Sequence, residues 1–135
     1  MQDNILKQLM QVVDQKFALN TKQCENGKLP ELRKWTESES YLDAMHDEIE
    51  EVRDELKTDN KVYLEDELGD ILWAYLNLLY CLEQEGKADT IKVLERALKK
   101  YKQRADGLDQ GISWDEIKVG QKQELKKEHN KTYNT

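Results

Sequence analysis

Residues that break helices are scarce in this chain, which has one proline, Pro30, and six glycines in 135 residues. With 36% of its residues charged, that scarcity suits long amphipathic helices better than a sheet. A basic surplus is also lacking. The net charge of −7 excludes a general binder of polymeric nucleic acid, which needs a broad basic surface. It leaves room for a nucleotide substrate, because a divalent cation can carry positive charge locally. The two cysteines, Cys24 in a polar stretch and Cys81 in an apolar one, have no metal-type spacing. They read as free thiols of a reducing compartment, not as a disulfide framework. Long apolar runs are missing as well. The most apolar stretch, 71–82, is interrupted by Asn77 and falls short of the ~20 residues that span a bilayer. Met1-Gln2-Asp3-Asn4 has neither the basic start nor the apolar run of a secretory signal, so the expected location is cytoplasmic, with no membrane partner.

What the chain does have is helical periodicity. Ile5, Leu9, Val13 and Phe17, widened by Leu6 and Met10, predict a first helix that ends before the polar stretch 20–28. A loop with Gly27 and Pro30 follows, then a short helical turn through Leu32 and Trp35. A second helix is expected from about Ser40 to Leu56, with Leu42, Met45, Ile49, Val52 and Leu56 as core positions. Thr58-Asp59-Asn60 breaks it, and a third helix runs to about Glu85, with Gly86 as its stop. Apolar residues from Leu64 to Leu82 cover more than one face of this third helix, and in so small a protein the extra face implies contact with another subunit. A fourth helix starts near Asp89 or Thr90, with Ile91, Leu94, Leu98 and Tyr101 toward the core and basic outer faces. Ser113-Trp114-Asp115-Glu116 reads as a capping box opening a polar helix, and the end beyond Gln121 as mobile or as an oligomer arm. The expected fold is all-α, a bundle of four or five helices completed by oligomerisation. Residues 1–112 would form the domain and 113–135 the polar helix and tail.

Two acidic pairs stand out. Glu48 and Glu51 are three residues apart on the second helix, and Glu67 and Asp70 three apart on the third. That spacing puts both acids of a pair on one helix face, and antiparallel packing would bring the two pairs together. Four converging carboxylates need a cation. No cysteine is near, His46 is the one neighbouring histidine, and the Glu-x-x-His pairs of a di-iron bundle are absent. An all-oxygen set selects magnesium, or manganese in its place, over zinc. Magnesium keeps part of its shell for water and phosphate oxygens, so such a claw suits a phosphate-bearing substrate.

Asp47-Glu48-Ile49-Glu50-Glu51 followed by Glu67-Leu68-Gly69-Asp70 resembles the MazG family of all-α nucleotide pyrophosphohydrolases, whose pattern is Glu-Glu-x-x-Glu and then Glu-x-x-Asp. The resemblance covers about Trp35 to Arg104. Asp47 departs from the family's usual Glu, at a position outside the four ligands. The resemblance implies magnesium-dependent hydrolysis of a nucleoside triphosphate to the monophosphate and pyrophosphate, with Glu48, Glu51, Glu67 and Asp70 on the metal. One of these acids, or Asp47 beside them, would orient or deprotonate the attacking water. It also implies a bundle built from more than one chain, here a homodimer or homotetramer. The alternative from another class is a non-enzymatic helical interaction or adaptor module whose acidic face only mimics a site.

Several residues carry two readings. Gly69 mid-helix costs about 1 kcal/mol relative to alanine, which a close helix approach beside the metal would explain. Asn77, seven residues after Asp70 and on its face, either holds a core water or reads a base or sugar. Trp35 and Trp73 either stack on a base or pack in the core. Arg96, Lys100 and Arg104 recur every four residues as a solvated basic face or as a clamp on the triphosphate, with Lys99 able to replace Lys100. His46 reads as a helix-surface or interface residue.

Overall fold

The computed structural model describes residues 2–133. They form five α-helices, α1 (Gln2–Glu25), α2 (Ser38–Glu55), α3 (Lys61–Gln84), α4 (Thr90–Asp109) and α5 (Trp114–Tyr133), with a 3₁₀ helix, Pro30–Thr36, between α1 and α2. No strand occurs among the described residues, so the fold is all-α as expected. None of these helices is long and apolar enough to cross a membrane. The chain falls into two compact units, one reaching to Thr90 and the other beginning at Ile91.

The first unit is built on the pairing of α2 with α3. Their connection, residues 56–60, is too short for anything but an antiparallel hairpin. It closes on Asn60, whose Oδ1 accepts the Tyr63 N–H at 3.2 Å as the N-cap of α3. At the open end, Glu85 just past α3 reaches back to Ser38 at the start of α2. Its carboxylate accepts the Ser38 N–H at 3.0 Å and the Ser38 hydroxyl at 2.9 Å. A remote side chain thereby caps α2 and pins the register of the hairpin. Gly86, at φ +73°, ends α3 with paired bonds from the Gly86 N–H to Glu83 O and the Lys87 N–H to Leu82 O, a turn that needs the left-handed region.

Helix α1 packs on the 3₁₀ helix and on α3. It continues through Glu25 instead of stopping before Asn20, because Asn20 is buried and Thr21, Gln23 and Cys24 are half-buried. Phe17 lies 5.0 Å from the Tyr80 ring, and the Tyr80 hydroxyl donates to Asp14. The core centres on Tyr41, Leu78 and Cys81, with Phe17, Trp35, Met45 and Leu82 against it. Tyr41, not Leu42, is thus the inward residue of that turn. Leu42, Ile49 and Leu56, expected in the core, are exposed. The periodicity locates an apolar stripe that no element of the first unit covers.

In the second unit α4 and α5 form a hairpin. Gly111 turns the chain, and Ser113 Oγ accepts the Glu116 N–H at 3.2 Å as the expected N-cap of α5. The segment beyond Gln121 continues as helix to Tyr133. Gly107 permits close approach, since a β-carbon there would collide with the Ile117 side chain. Ile91, Leu94, Leu98 and Tyr101 do not face a core. Leu98 is 71% exposed, because within this unit only α5 covers α4.

Candidate metal centre

Antiparallel pairing of α2 with α3 sets the third and fourth turns of α2 against the second and third turns of α3. Glu48 and Glu51 therefore meet Glu67 and Asp70. Each residue contributes one carboxylate oxygen to a set whose members all lie within 4.8 Å of one another. Glu48 and Glu67 are half-buried, while Glu51 is exposed at the rim.

The electrostatics of this arrangement are unfavourable without a cation. Glu48 is pushed up to about 7, first by burial, then by its contact with Glu51 and the charges of Glu51, Asp70 and Glu67. Glu67 is held above the usual carboxylate range, first by the contact with Glu51, then by burial and the charges of Glu51, Asp70 and Asp66. Glu48 Oε2 and Glu67 Oε2 are buried with no hydrogen-bond donor in reach. Buried acceptors of this kind are rare unless something outside the protein satisfies them. Magnesium binds oxygens at about 2.1 Å, so ligands across the ion stand up to about 4.2 Å apart, close to the spacing found here. The donor set and its two orphaned oxygens fit a hard divalent ion.

The neighbouring acids behave differently. Glu50 is exposed and pairs with Arg53 at 3.5 Å, pointing away from the cluster. Asp47 is exposed. Gly69, expected at a close helix approach, has open space where a β-carbon would stand, so no tight packing in this chain explains it.

The residues expected on the substrate are placed as follows. Trp35 is half-buried, with its ring 5.4 Å from that of Tyr41. Asn77 is buried, and its Nδ2 donates to Trp73 O at 2.8 Å, one turn back on its own helix. Arg96, Lys100 and Arg104 all lie in the second unit. Arg96 makes a two-pronged pair with Glu128 at 2.6 and 3.0 Å. The Lys100 ammonium lies 5.7 Å from the Tyr101 ring centre. Arg104, expected on a solvated face or on the triphosphate, is 7% exposed. Its Nε donates to Gln121 Oε1 at 2.9 Å, and its guanidinium lies 5.1 Å from both the Tyr101 and Trp114 rings. It ties the hairpin together from inside.

Ser38 and Glu85, which lock the register that brings the acids together, carry no sequence signal, because their contact spans 47 positions. Lys16 is also silent. It sits on the inner face of α1, in a place where a hydrophobic residue would be expected.

An all-α fold with a carboxylate cluster across an antiparallel helix pair is compatible with binding a hard divalent cation. Residues 36–108 match the MazG nucleotide pyrophosphohydrolase domain, a span that contains all four acids. The chain belongs to the MazG family. No curated protein sequence matches it significantly, and no solved structure does.

Proposed function

We propose that the protein hydrolyses nucleoside or deoxynucleoside triphosphates to the monophosphate and pyrophosphate, with magnesium as cofactor and manganese able to replace it. The observation that carries this reading is the convergence of four carboxylates with two buried, donor-less oxygens, within a span that matches the nucleotide pyrophosphohydrolase domain. Glu48, Glu51, Glu67 and Asp70 would hold the ion, which when bound supplies positive charge to the phosphate chain and the departing pyrophosphate. An acid of the cluster, or Asp47 at its edge, takes the proton of a water that attacks the α-phosphorus in line. Trp35 offers a ring face for a base. Lys100 and Arg96 are the proposed donors to phosphate oxygens, and Arg96 would first have to give up Glu128. Asn77 and Arg104 would have to exchange their present protein partners for a substrate contact.

The working form would be a homodimer or a dimer of dimers. Leu42 and Ile49 on α2, with Leu68, Leu72 and Tyr75 on α3, are exposed at spacings of three, four and seven, forming an apolar stripe along the hairpin. A second copy about a two-fold axis would cover it. A non-enzymatic adaptor, the other reading, gives no account of the orphaned buried oxygens.

Thermal unfolding with magnesium, and with magnesium plus a non-hydrolysable triphosphate, tests the site. Each addition should raise the melting temperature by ligand linkage. Indifference to both would remove the metal site and the enzymatic reading together.

A further inference from the structure

Lys16 is in an unusual position for a lysine. It is half-buried on α1, and among the described residues no carboxylate pairs with it. Its Nζ lies 5.8 Å from the Trp35 ring centre, 5.2 Å from Tyr41 and 5.3 Å from Trp73. Three aromatic faces from three different elements surround one ammonium. The ammonium donates to the Tyr41 hydroxyl at 2.8 Å, and that hydroxyl donates in turn to Trp35 O at 2.8 Å. The hydroxyl proton is thereby committed, and Tyr41 serves Lys16 as an acceptor. An ammonium has three donors and no acceptor, so two N–H groups of Lys16 remain.

One helical turn further along the same face stands Asn20. It is 7% exposed, and its Nδ2 is buried with no acceptor in reach. A buried amide with idle donors implies a missing acceptor. The aromatic group also lies on the same seam as the carboxylates. Trp73 follows Asp70 by three residues on α3, about 4.5 Å of helix rise, and Tyr41 precedes Glu48 by seven on α2, about 10.5 Å. A nucleotide whose phosphates reach the acids could place its base among these rings.

Building on the pyrophosphohydrolase reading, we infer that Lys16 and Asn20 select the base, and that the base presents two adjacent hydrogen-bond acceptors on one edge. Guanine does so with N7 and O6, and cytosine with O2 and N3. Adenine alternates acceptor and donor along its edges, and so does uracil. Donors without a matching acceptor would be left buried and unpaired beside adenine or uracil, which penalises those bases. Trp35 and Trp73 supply stacking surface and no discrimination. The positive charge of Lys16 further favours acceptor-rich edges. Desolvation lowers the Lys16 pKa from its ordinary value, in keeping with an ammonium poorly served by its present surroundings.

The experiment is calorimetric binding, with magnesium, of α,β-non-hydrolysable triphosphates of guanine, cytosine, adenine and uracil, and of methyl triphosphate as a baseless probe. The protein should bind the guanine or the cytosine analogue at least about tenfold more tightly than those of adenine and uracil. Lys16→Met should erase that preference while the affinity for methyl triphosphate stays within about twofold. Tyr41→Phe, which keeps the ring and removes the anchor of the ammonium, should weaken the preference in the same direction. Equal binding of all four bases overturns the inference, as does a preference that survives both substitutions. In either case binding of methyl triphosphate leaves the pyrophosphohydrolase reading standing. Binding of no triphosphate at all overturns both.

Discussion

At the scale of single residues, the candidate centre is a stored electrostatic conflict. The charges of the cluster raise the cost of ionising Glu48 and Glu67. The consequence for stability follows from the sign of the shifts. Glu48 is raised to about 7 and Glu67 is raised as well, so both contribute stability that is full below the ordinary carboxylate range and lost as pH rises through their folded values. Glu85 is shifted the other way, chiefly by the Ser38 N–H, and its contribution disappears only when pH falls below the carboxylate range. Between about pH 5 and pH 8 the metal-free protein should therefore lose melting temperature, and saturating magnesium should flatten that slope. Glu48→Gln should flatten it without metal. A metal-free melting temperature that rises steadily across this window would contradict the geometry of the cluster.

At the scale of elements, the α2–α3 hairpin is the unit that makes a site out of two motifs. Its register depends on Ser38 and Glu85, which lie at the end opposite the connecting loop. Ser38→Ala removes one hydrogen bond to the Glu85 carboxylate and Glu85→Gln weakens both, each change costing about 1 kcal/mol. Ser38→Ala and Glu85→Gln should each lower urea stability by about 1 kcal/mol. The double variant should lose less than the sum, since the two act through one contact. Full additivity would show that they do not. The hairpin also shows what the amino-acid pattern makes legible. Three-residue spacing assigns each acidic pair to a face, and the short break at Thr58-Asp59-Asn60 implies antiparallel neighbours, so spacing and loop length alone suffice to group the four acids. Tyr41, Ser38, Glu85 and Lys16 cannot be found this way. Their roles depend on partners distant in the chain. Arg104 shows the opposite error: a regular basic spacing suggests a solvated face or a phosphate clamp, yet one member turns inward between two rings.

At the scale of the whole molecule, the apolar pattern exceeds what the single chain buries. Leu42, Ile49, Leu68 and Leu72 are patterned like core residues and yet are exposed in the single chain. On the proposed reading, a second copy of the chain covers this face. Sedimentation equilibrium should give at least twice the 16.0 kDa mass of one chain across a wide concentration range. Leu68→Glu, which places a charge in the middle of the stripe, should shift the population toward monomer. A 16.0 kDa species in the parent protein, stable and active, would refute the assembly.

The most direct test of the central claim is phosphorus NMR of a reaction with a nucleoside triphosphate and magnesium. The proposed pyrophosphohydrolase activity predicts monophosphate and pyrophosphate as the first products, none under chelation, and none from Asp70→Asn. Glu50→Gln, whose carboxylate is turned to solvent beside Arg53, should match the parent. Orthophosphate and diphosphate as first products, or an Asp70→Asn variant as fast as the parent, would contradict the account.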